Sequence, residues 1–405
     1  MSYFGELRQN IRPLAAASLG GGVSLPFFAY TNTVFSPHLI REFGWSRAQF
    51  ALVGLTMLAT LLVLPVIGRL NDRFGVRRVA LGGTLLLPLC FVAYSLQSGS
   101  FLFFLACATA VLMIGSMTSP LVYSRLIAER FDKAQGLALT VMNCVPAALA
   151  IPFVPVLNWI IDTWGWRQAY LVLAVVVFVV GLIALILVPP HTREEAPEAV
   201  AVVTPTTARE DYRLILKSSV FWIIFIGFFL CLLQTPLHAA QMNIMLMENG
   251  LTTQGAANIV SVYAAGTIIG RIACGLALDR YSTPAVTALS MGIPAIGYLI
   301  LGSPLDTVGL VTFAMFLVGV SVGAESDLIS YLVARYFKLR IYSTTLGVVY
   351  VCSFAASACG ALLISGTLTV WDSFAPFLYL VAGTVTAGSL LFLRLPKARN
   401  VEKIG

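Results

Sequence analysis

Val308 to Ala334 form one unbroken apolar run whose only charges are Glu325 and Asp327, and runs of this kind recur along the whole chain. A helix needs roughly 20 apolar residues to cross the hydrocarbon core of a bilayer. Twelve such stretches can be read, near 14–36, 49–69, 78–97, 101–123, 136–160, 168–189, 218–244, 255–278, 284–302, 307–334, 343–366 and 373–394. They are continuous, which excludes the ~10-residue alternating strands of an outer-membrane barrel. Composition agrees. Of 405 residues, 59% are hydrophobic and 11% charged, with a mean hydropathy of +0.90, against about 25% charged in soluble domains. The chain reads as an all-α membrane protein with twelve transmembrane helices.

One long polar stretch, "PPHTREEAPEAVAVVTPTTAREDYR" at 189–213, divides the spans six and six. Its prolines and threonines suit a linker. The expected domains are a six-helix bundle over 1–188, a cytoplasmic linker over 189–213 and a second bundle over 214–405. Lysine and arginine mark the cytoplasmic side of a membrane. With the N-terminus inside, 21 of the 25 basic residues fall on that side, only Arg41, Arg47 and Arg167 fall outside, and Arg271 lies within a span. Both termini are therefore expected to be cytoplasmic, in a bacterial-type inner membrane. The net charge of +7 is a topology signal and not a nucleic-acid footprint. "MSYFGELRQNIRP" is too polar and short for a cleavable signal, so the first span is expected to stay in the membrane.

The seven cysteines lie in apolar stretches without CxxC or His-rich spacing, which suits packing rather than metal or disulfide roles. There is no nucleophile constellation, phosphate loop or metal spacing, so no enzyme activity, cofactor or metal is expected.

The two halves echo each other. "GRLNDRFG" (68–75) follows span 2 and "GLALDRYS" (275–282) follows span 8, an offset of 207 residues. Phe131 and Phe337, after spans 4 and 10, align at an offset of 206. A duplicated six-helix unit follows, giving two pseudo-symmetric bundles, a known transporter design with the site near the bilayer midplane.

"GRLNDRFGVRR" resembles the loop motif between helices 2 and 3 of the major facilitator superfamily. The resemblance, with the linker and the weaker copy after helix 8, covers nearly the whole chain. It implies a charge network of Asp72 with Arg73, Arg77 and Arg78 that latches one conformation, with Asp279 and Arg280 as the second-half gating pair. Within the superfamily, "FGWSRAQF" (43–50), "DTWGWRQAYLVL" (162–173), "GRIACGLALDR" (270–280) and "GAESDLISYLVARYFKLRIYSTTLG" (323–347) resemble the branch of monocarboxylate porters and oxalate/formate antiporters. In that branch an arginine of helix 8 meets the substrate carboxylate, and the matching residue is Arg271. The chain departs from the branch in helix 1, "SLGGGVSLPFF", which lacks the acidic-Gly signature of eukaryotic members. Helix 5, "VMNCVPAALAIPFVP", lacks the usual glycines and also the Gly-Pro-rich motif of drug/proton antiporters.

Taking Arg280 and Arg335 as interface markers, Arg271 lies nine residues and Glu325 ten residues deeper, about 13–15 Å into a ~30 Å core. Charge at that depth costs about 2.5–3.5 kcal/mol per residue. The first-half counterparts, near Leu64 and Thr118–Ser119, are uncharged, so folding of the repeat does not require the charges. Glu325 and Asp327 are about 200° apart on a helix, so one borders a cavity while the other faces neighbouring helices. The sequence leaves open which does so. Asp327 and Tyr331 share a face.

These residues point to a secondary transporter of a small organic anion, a monocarboxylate, by proton symport. Arg271 would hold the carboxylate, and Glu325 or Asp327 would take the proton. Tyr123, Asn143 and Tyr331 are further substrate-binding candidates; Gln234, His238, Tyr263 and Tyr350 are weaker ones, and Arg125 could snorkel to the cytoplasm. The carrier is expected to act as a monomer in the lipid bilayer. Alternatives are anion exchange, efflux of a small apolar compound, and a non-transporting membrane sensor. A sensor would carry a sizeable soluble domain, which neither linker nor termini can hold.

Overall fold

The computed structural model describes residues 3–45, 56, 58–189, 208–242, 245–246, 253–304, 307–396 and 404. The described residues are helical apart from turns and one isolated parallel bridge, Phe337 to Ile404. Two compact units are formed. The first comprises Met1–Ala208 with Leu339–Val348, and the second Arg209–Lys338 with Val349–Gly405. The short segment Leu339–Val348, expected in the second bundle, thus packs with the first unit.

The first unit holds α1 (Tyr3–Gln9), α2 (Ile11–Gly22), α3 (Leu25–Phe43), α4 (Leu58–Phe74), α5 (Val76–Ser95), α6 (Phe101–Gly115), α7 (Pro120–Arg130), α8 (Gln135–Trp164) and α9 (Trp166–Leu187). Three-residue Ser116–Thr118 is a 3₁₀ turn joining α6 to α7. The first span breaks between α2 and α3 after three consecutive glycines, at Val23–Ser24, with Pro26 in the first turn beyond. Gly75 turns α4 into α5 at φ 77°, a conformation that excludes most side chains. Aromatic rings fill the core: Tyr170 stacks on Phe35 at 3.8 Å and on Tyr94 at 5.0 Å. Two of the branch-like stretches meet here. Glu42, beside "FGW", accepts hydrogen bonds from Trp166 and Arg167 of "GWRQ".

The second unit holds α10 (Ala208–Lys217), α11 (Ser219–Leu232), α12 (Thr253–Arg280), α13 (Thr283–Gly302), α14 (Val308–Tyr336), α15 (Tyr342–Trp371, its first turns packing with the first unit) and α16 (Ala375–Phe392). Residues 208–213, expected in the linker, open α10 instead, which buries Asp211 and Ile215, one turn apart, along one side. The rest of the expected linker lies outside the described residues from 190 to 207. α10 meets α11 at a 75° bend, capped by Ser218, whose hydroxyl accepts from Phe221 N. The seventh span, expected as one helix, stops at Leu232, turns at Leu233–Gln234 and resumes as a π-helix over Leu237–Gln241. Pro236 explains the break, since it lacks the N–H that would continue the ladder.

Among the described residues, ten helical spans are long and apolar enough to cross a membrane, and the bent pair α10–α11, taken as one span, makes an eleventh. The expected second span is described only as α4, 17 residues long; residues 46–55 and 57, where it would begin, lie outside the described residues.

Candidate substrate-binding site

In the second unit, small residues fix the buried charges. Gly266 and Gly270 on α12 and Gly319 and Gly323 on α14 are spaced four apart, the pattern that lets helix backbones touch. A Cβ at Gly270 would lie 2.0 Å from the Val320 carbonyl oxygen, and one at Gly323 would lie 2.0 Å from that of Thr267. Arg271 leaves α12 at the edge of this seam. Asp327, one turn beyond Gly323, faces back across it. Its carboxylate stands 3.7 Å from the Arg271 guanidinium; the aspartate side chain is wholly buried and the arginine 18% exposed. At 3.7 Å the contact is a loose ion pair, not the bidentate fork that arginine and carboxylate can form.

Glu325 points elsewhere, as its 200° offset requires. It is partly exposed and acts electrostatically on Cys231 of α11, Tyr298 of α13 and Cys352 of α15; Tyr350 is acted on by both acids, Asp327 before Glu325, and Arg271 acts on Glu325. The structure therefore separates the two acids that sequence left interchangeable. Asp327 lies buried in the α12–α14 seam, and Glu325 is turned away from it and partly exposed.

Outward along the same helices is a polar cluster. Gln234, in the turn of the broken span, is buried, and its Oε1 accepts from the Tyr298 hydroxyl and lies against His238 Nε2. The same ring nitrogen is 2.8 Å from the Tyr298 hydroxyl, and Tyr263 stacks on the imidazole at 5.7 Å. Helix breaks and π-turns of this type recur at functional sites.

Two expected ligands have structural placements instead. Tyr331 donates its hydroxyl to the Leu278 carbonyl at 3.0 Å and ties α14 to α12. Tyr123 is wholly buried, its ring filling the space a Cβ at Gly20 would need, and its hydroxyl has no partner among the described residues. Asn143 is partly buried on α8.

The expected network around Asp72 also needs correction. Arg73, Arg77 and Arg78 are exposed, and Asp72 pairs instead with Arg125, which also binds Glu129 at 2.7 Å. Its carboxylate further accepts from Ser343 N at 2.9 Å, Thr344 N at 2.6 Å and the Thr344 hydroxyl at 2.7 Å. Burial pushes the Asp72 carboxyl above the usual carboxylate range, against Arg125 and the Thr344 and Ser343 donors. These partners, rather than solvent, support its charge. Gly68 makes this approach possible, since a Cβ there would lie 2.1 Å from the Ser343 oxygen. Asn71 adds a bond to the Ser343 hydroxyl at 2.9 Å, and Tyr342 one to Ser124 at 2.9 Å. In the second-half copy, Asp279 is partly buried and Arg280 exposed at the end of α12. The sequence suggested only that Arg125 snorkels to the cytoplasm; its i, i+4 relation to Glu129 was the available signal.

A helical bundle that carries charge at mid-helix and the loop motif "GRLNDRFGVRR" has the build of a membrane carrier, and sequence comparison makes the family explicit. The Major Facilitator Superfamily profile matches residues 17–244, more than half of the chain. The chain belongs to the Major Facilitator Superfamily, whose members are transporters and not enzymes. It is 26% identical over 409 residues to the gentisate transporter of Corynebacterium glutamicum, covering 95% of this chain and 89% of the relative. To human monocarboxylate transporter 11 it is 24% identical over 406 residues, covering 95% and 82%. The solved Escherichia coli fucose:proton symporter FucP superposes with a TM-score of 0.71 at 12% identity, over 97% of this chain and 98% of FucP, which establishes the fold.

Proposed function

We propose that the chain moves a small organic anion of the monocarboxylate class across the plasma membrane together with a proton, by alternating access. The observation that carries this reading is Arg271. It is a permanently charged side chain set nine residues inside the helix end marked by Arg280, partly accessible, and 3.7 Å from Asp327. A guanidinium so placed offers the fork that binds a carboxylate. The relatives named for gentisate and monocarboxylate transport favour a carboxylate cargo.

Glu325 is the proposed proton carrier. A negative charge arriving beside a carboxylate favours its protonated form, so anion and proton cross as a nearly neutral load. Asp327 then keeps Arg271 neutralised when no substrate is bound. Anion exchange would be served by a second buried cation, and α15 carries no lysine or arginine, which favours symport. Basic-residue bias favours cytoplasmic termini, and a monomer suffices for the mechanism.

Reconstitution tests the reading. Proteoliposomes are loaded with a pH dye and supplied with radiolabelled lactate or gentisate. Wild type is expected to accumulate one of them with acidification of the lumen. Arg271→Gln is expected to abolish uptake while remaining monodisperse and folded. Normal uptake by Arg271→Gln refutes the substrate role, and electrogenic uptake without a pH change refutes proton coupling.

A further inference from the structure

The loop arginines that do not pair with Asp72 line a cavity of about 470 Å³ in the first unit, between the α4–α5 turn and the ends of α7 and α9. Arg73, Arg77, Arg78 and Arg130 stand on its walls with two acids, Asp72 and Glu129. Both acids are bonded to Arg125, and Asp72 is further engaged by Ser343 and Thr344. The cleft is therefore positive, and its carboxylates are already committed.

Local backbone adds to this. Arg77 and Arg78 occupy the first turn of α5, where there is no acidic residue and the N-cap, Gly75, offers no side-chain acceptor. Cations at that end oppose the helix dipole, and first-turn N–H groups have no intrahelical acceptor. An anion in the cleft would relieve both costs.

The apolar surroundings say which kind of anion. Arg78, Leu81, Leu85 and Leu89 lie on one face of α5 at helical spacing, and the three leucines are 45%, 51% and 59% exposed. α9 packs along α5 and carries its own exposed aliphatic stripe through Val179, Ile183 and Ile186, leading to Val188 and Pro189 on the cleft wall. In a membrane these stripes face acyl chains. A soluble phosphate would use the arginines alone; a lipid would use arginines and stripe together.

We propose that this cleft binds the phosphate of an anionic glycerophospholipid from the adjoining leaflet, cytoplasmic in the orientation proposed above, with its acyl chains along the α5 leucines. Basic pockets between helices on that side bind such headgroups in other membrane proteins. The bound phosphate would sit beside Asp72 and Arg125, so lipid composition would bear on the contacts that hold Leu339–Val348.

Native mass spectrometry of the full-length protein in detergent tests this with phosphatidylglycerol and phosphatidylcholine as probes. Wild type is expected to retain one phosphatidylglycerol about tenfold over phosphatidylcholine, in line with the attraction of two or more arginines. Arg77→Gln/Arg78→Gln is expected to bring that preference below about twofold, while the charge-matched Arg209→Gln/Arg213→Gln on α10 leaves it intact. Equal loss in both pairs overturns the site in favour of diffuse attraction. Displacement of the lipid by equimolar glycerol 3-phosphate or inorganic phosphate overturns the lipid assignment in favour of a soluble anion. An acyl-diazirine phosphatidylglycerol provides a test on wild type alone: crosslinks mapping to residues 81–89 support the proposal, and crosslinks confined to other helices overturn it.

Discussion

The Arg271 guanidinium stands 3.7 Å from the Asp327 carboxylate at the seam where α12 and α14 touch backbone to backbone, and that carboxylate has no solvent exposure. Glu325, two residues earlier, has a different neighbourhood and should answer mutation differently. Asp327→Ala removes the countercharge next to a mostly buried cation, and is expected to cost about 2–3 kcal/mol, below the full value for a buried pair because Arg271 retains some solvent contact. Glu325→Gln is expected to stay within about 1 kcal/mol of wild type. Unfolding midpoints in detergent check the order. A Glu325 variant less stable than the Asp327 variant would reverse the assignment of structural and functional acid.

Seam glycines offer a sharper test because the same fold supplies its own controls. Gly270→Ala or Gly323→Ala would set a methyl group 2.0 Å from a backbone oxygen of the facing helix, whereas a Cβ at Gly366 or Gly383 meets nothing within 4 Å. The first two are expected to lose about 2–3 kcal/mol, since backbone cannot step aside as a flexible side chain can. The latter two should be neutral or slightly stabilised. Thermal unfolding of the four variants decides it; equal effects would mean the helices are free to part.

Much of this was legible in the sequence for a physical reason. Hydrophobic runs fix spans because the bilayer permits no other spanning element here, and a charge inside a run stands out against that background. Hence Arg271, Glu325 and Asp327 could be named beforehand. Their partners could not, because direction around a helix depends on its neighbours. The spacing in "GTIIGR" and "GVSVG" carried the missing information: it marks the touching faces of α12 and α14, and therefore turns Asp327 inward. Arg125 was hidden for a different reason. Its partner Asp72 lies 53 residues away, and "GRLNDRFGVRR" offers three nearer arginines that the structure leaves exposed. The break at Leu233–Gln234 was signalled by Pro236, next to Gln234 and Thr235 within the seventh apolar stretch.

Glu6 was invisible to pattern reading, yet it organises the start of α8. Its carboxylate accepts from the backbone N–H groups of Asp132 at 2.8 Å, Lys133 at 3.0 Å and Ala134 at 2.8 Å, and the residue is buried. Charge-assisted bonds of this kind are worth about 1.5–3 kcal/mol, and losing the acceptor removes the partner of three donors, of which the Ala134 N–H is buried. Glu6→Ala is expected to destabilise the protein by about 2 kcal/mol and to speed amide exchange at residues 132–134 selectively. Unchanged exchange there would show that water replaces the carboxylate without loss.

Leu339–Val348 is held in the first unit by Asp72, whose partners Arg125, Ser343 and Thr344 come from two different stretches of chain. Arg125→Gln leaves both Asp72 and Glu129 without their cation, a loss that for buried pairs runs to about 3 kcal/mol. Part of that should appear as local release of the segment, because its backbone donors depend on the charge of the same carboxylate. Leu346, fully buried, reports on it: in a Leu346→Cys background, Arg125→Gln is expected to raise the alkylation rate by an order of magnitude. The charge-conserving Arg125→Lys should fall between wild type and Gln, since lysine keeps the cation but loses the second donor to Glu129. Alkylation unchanged in all three would mean that Gly68 and Gly347 packing alone holds the segment, with the ion pair dispensable.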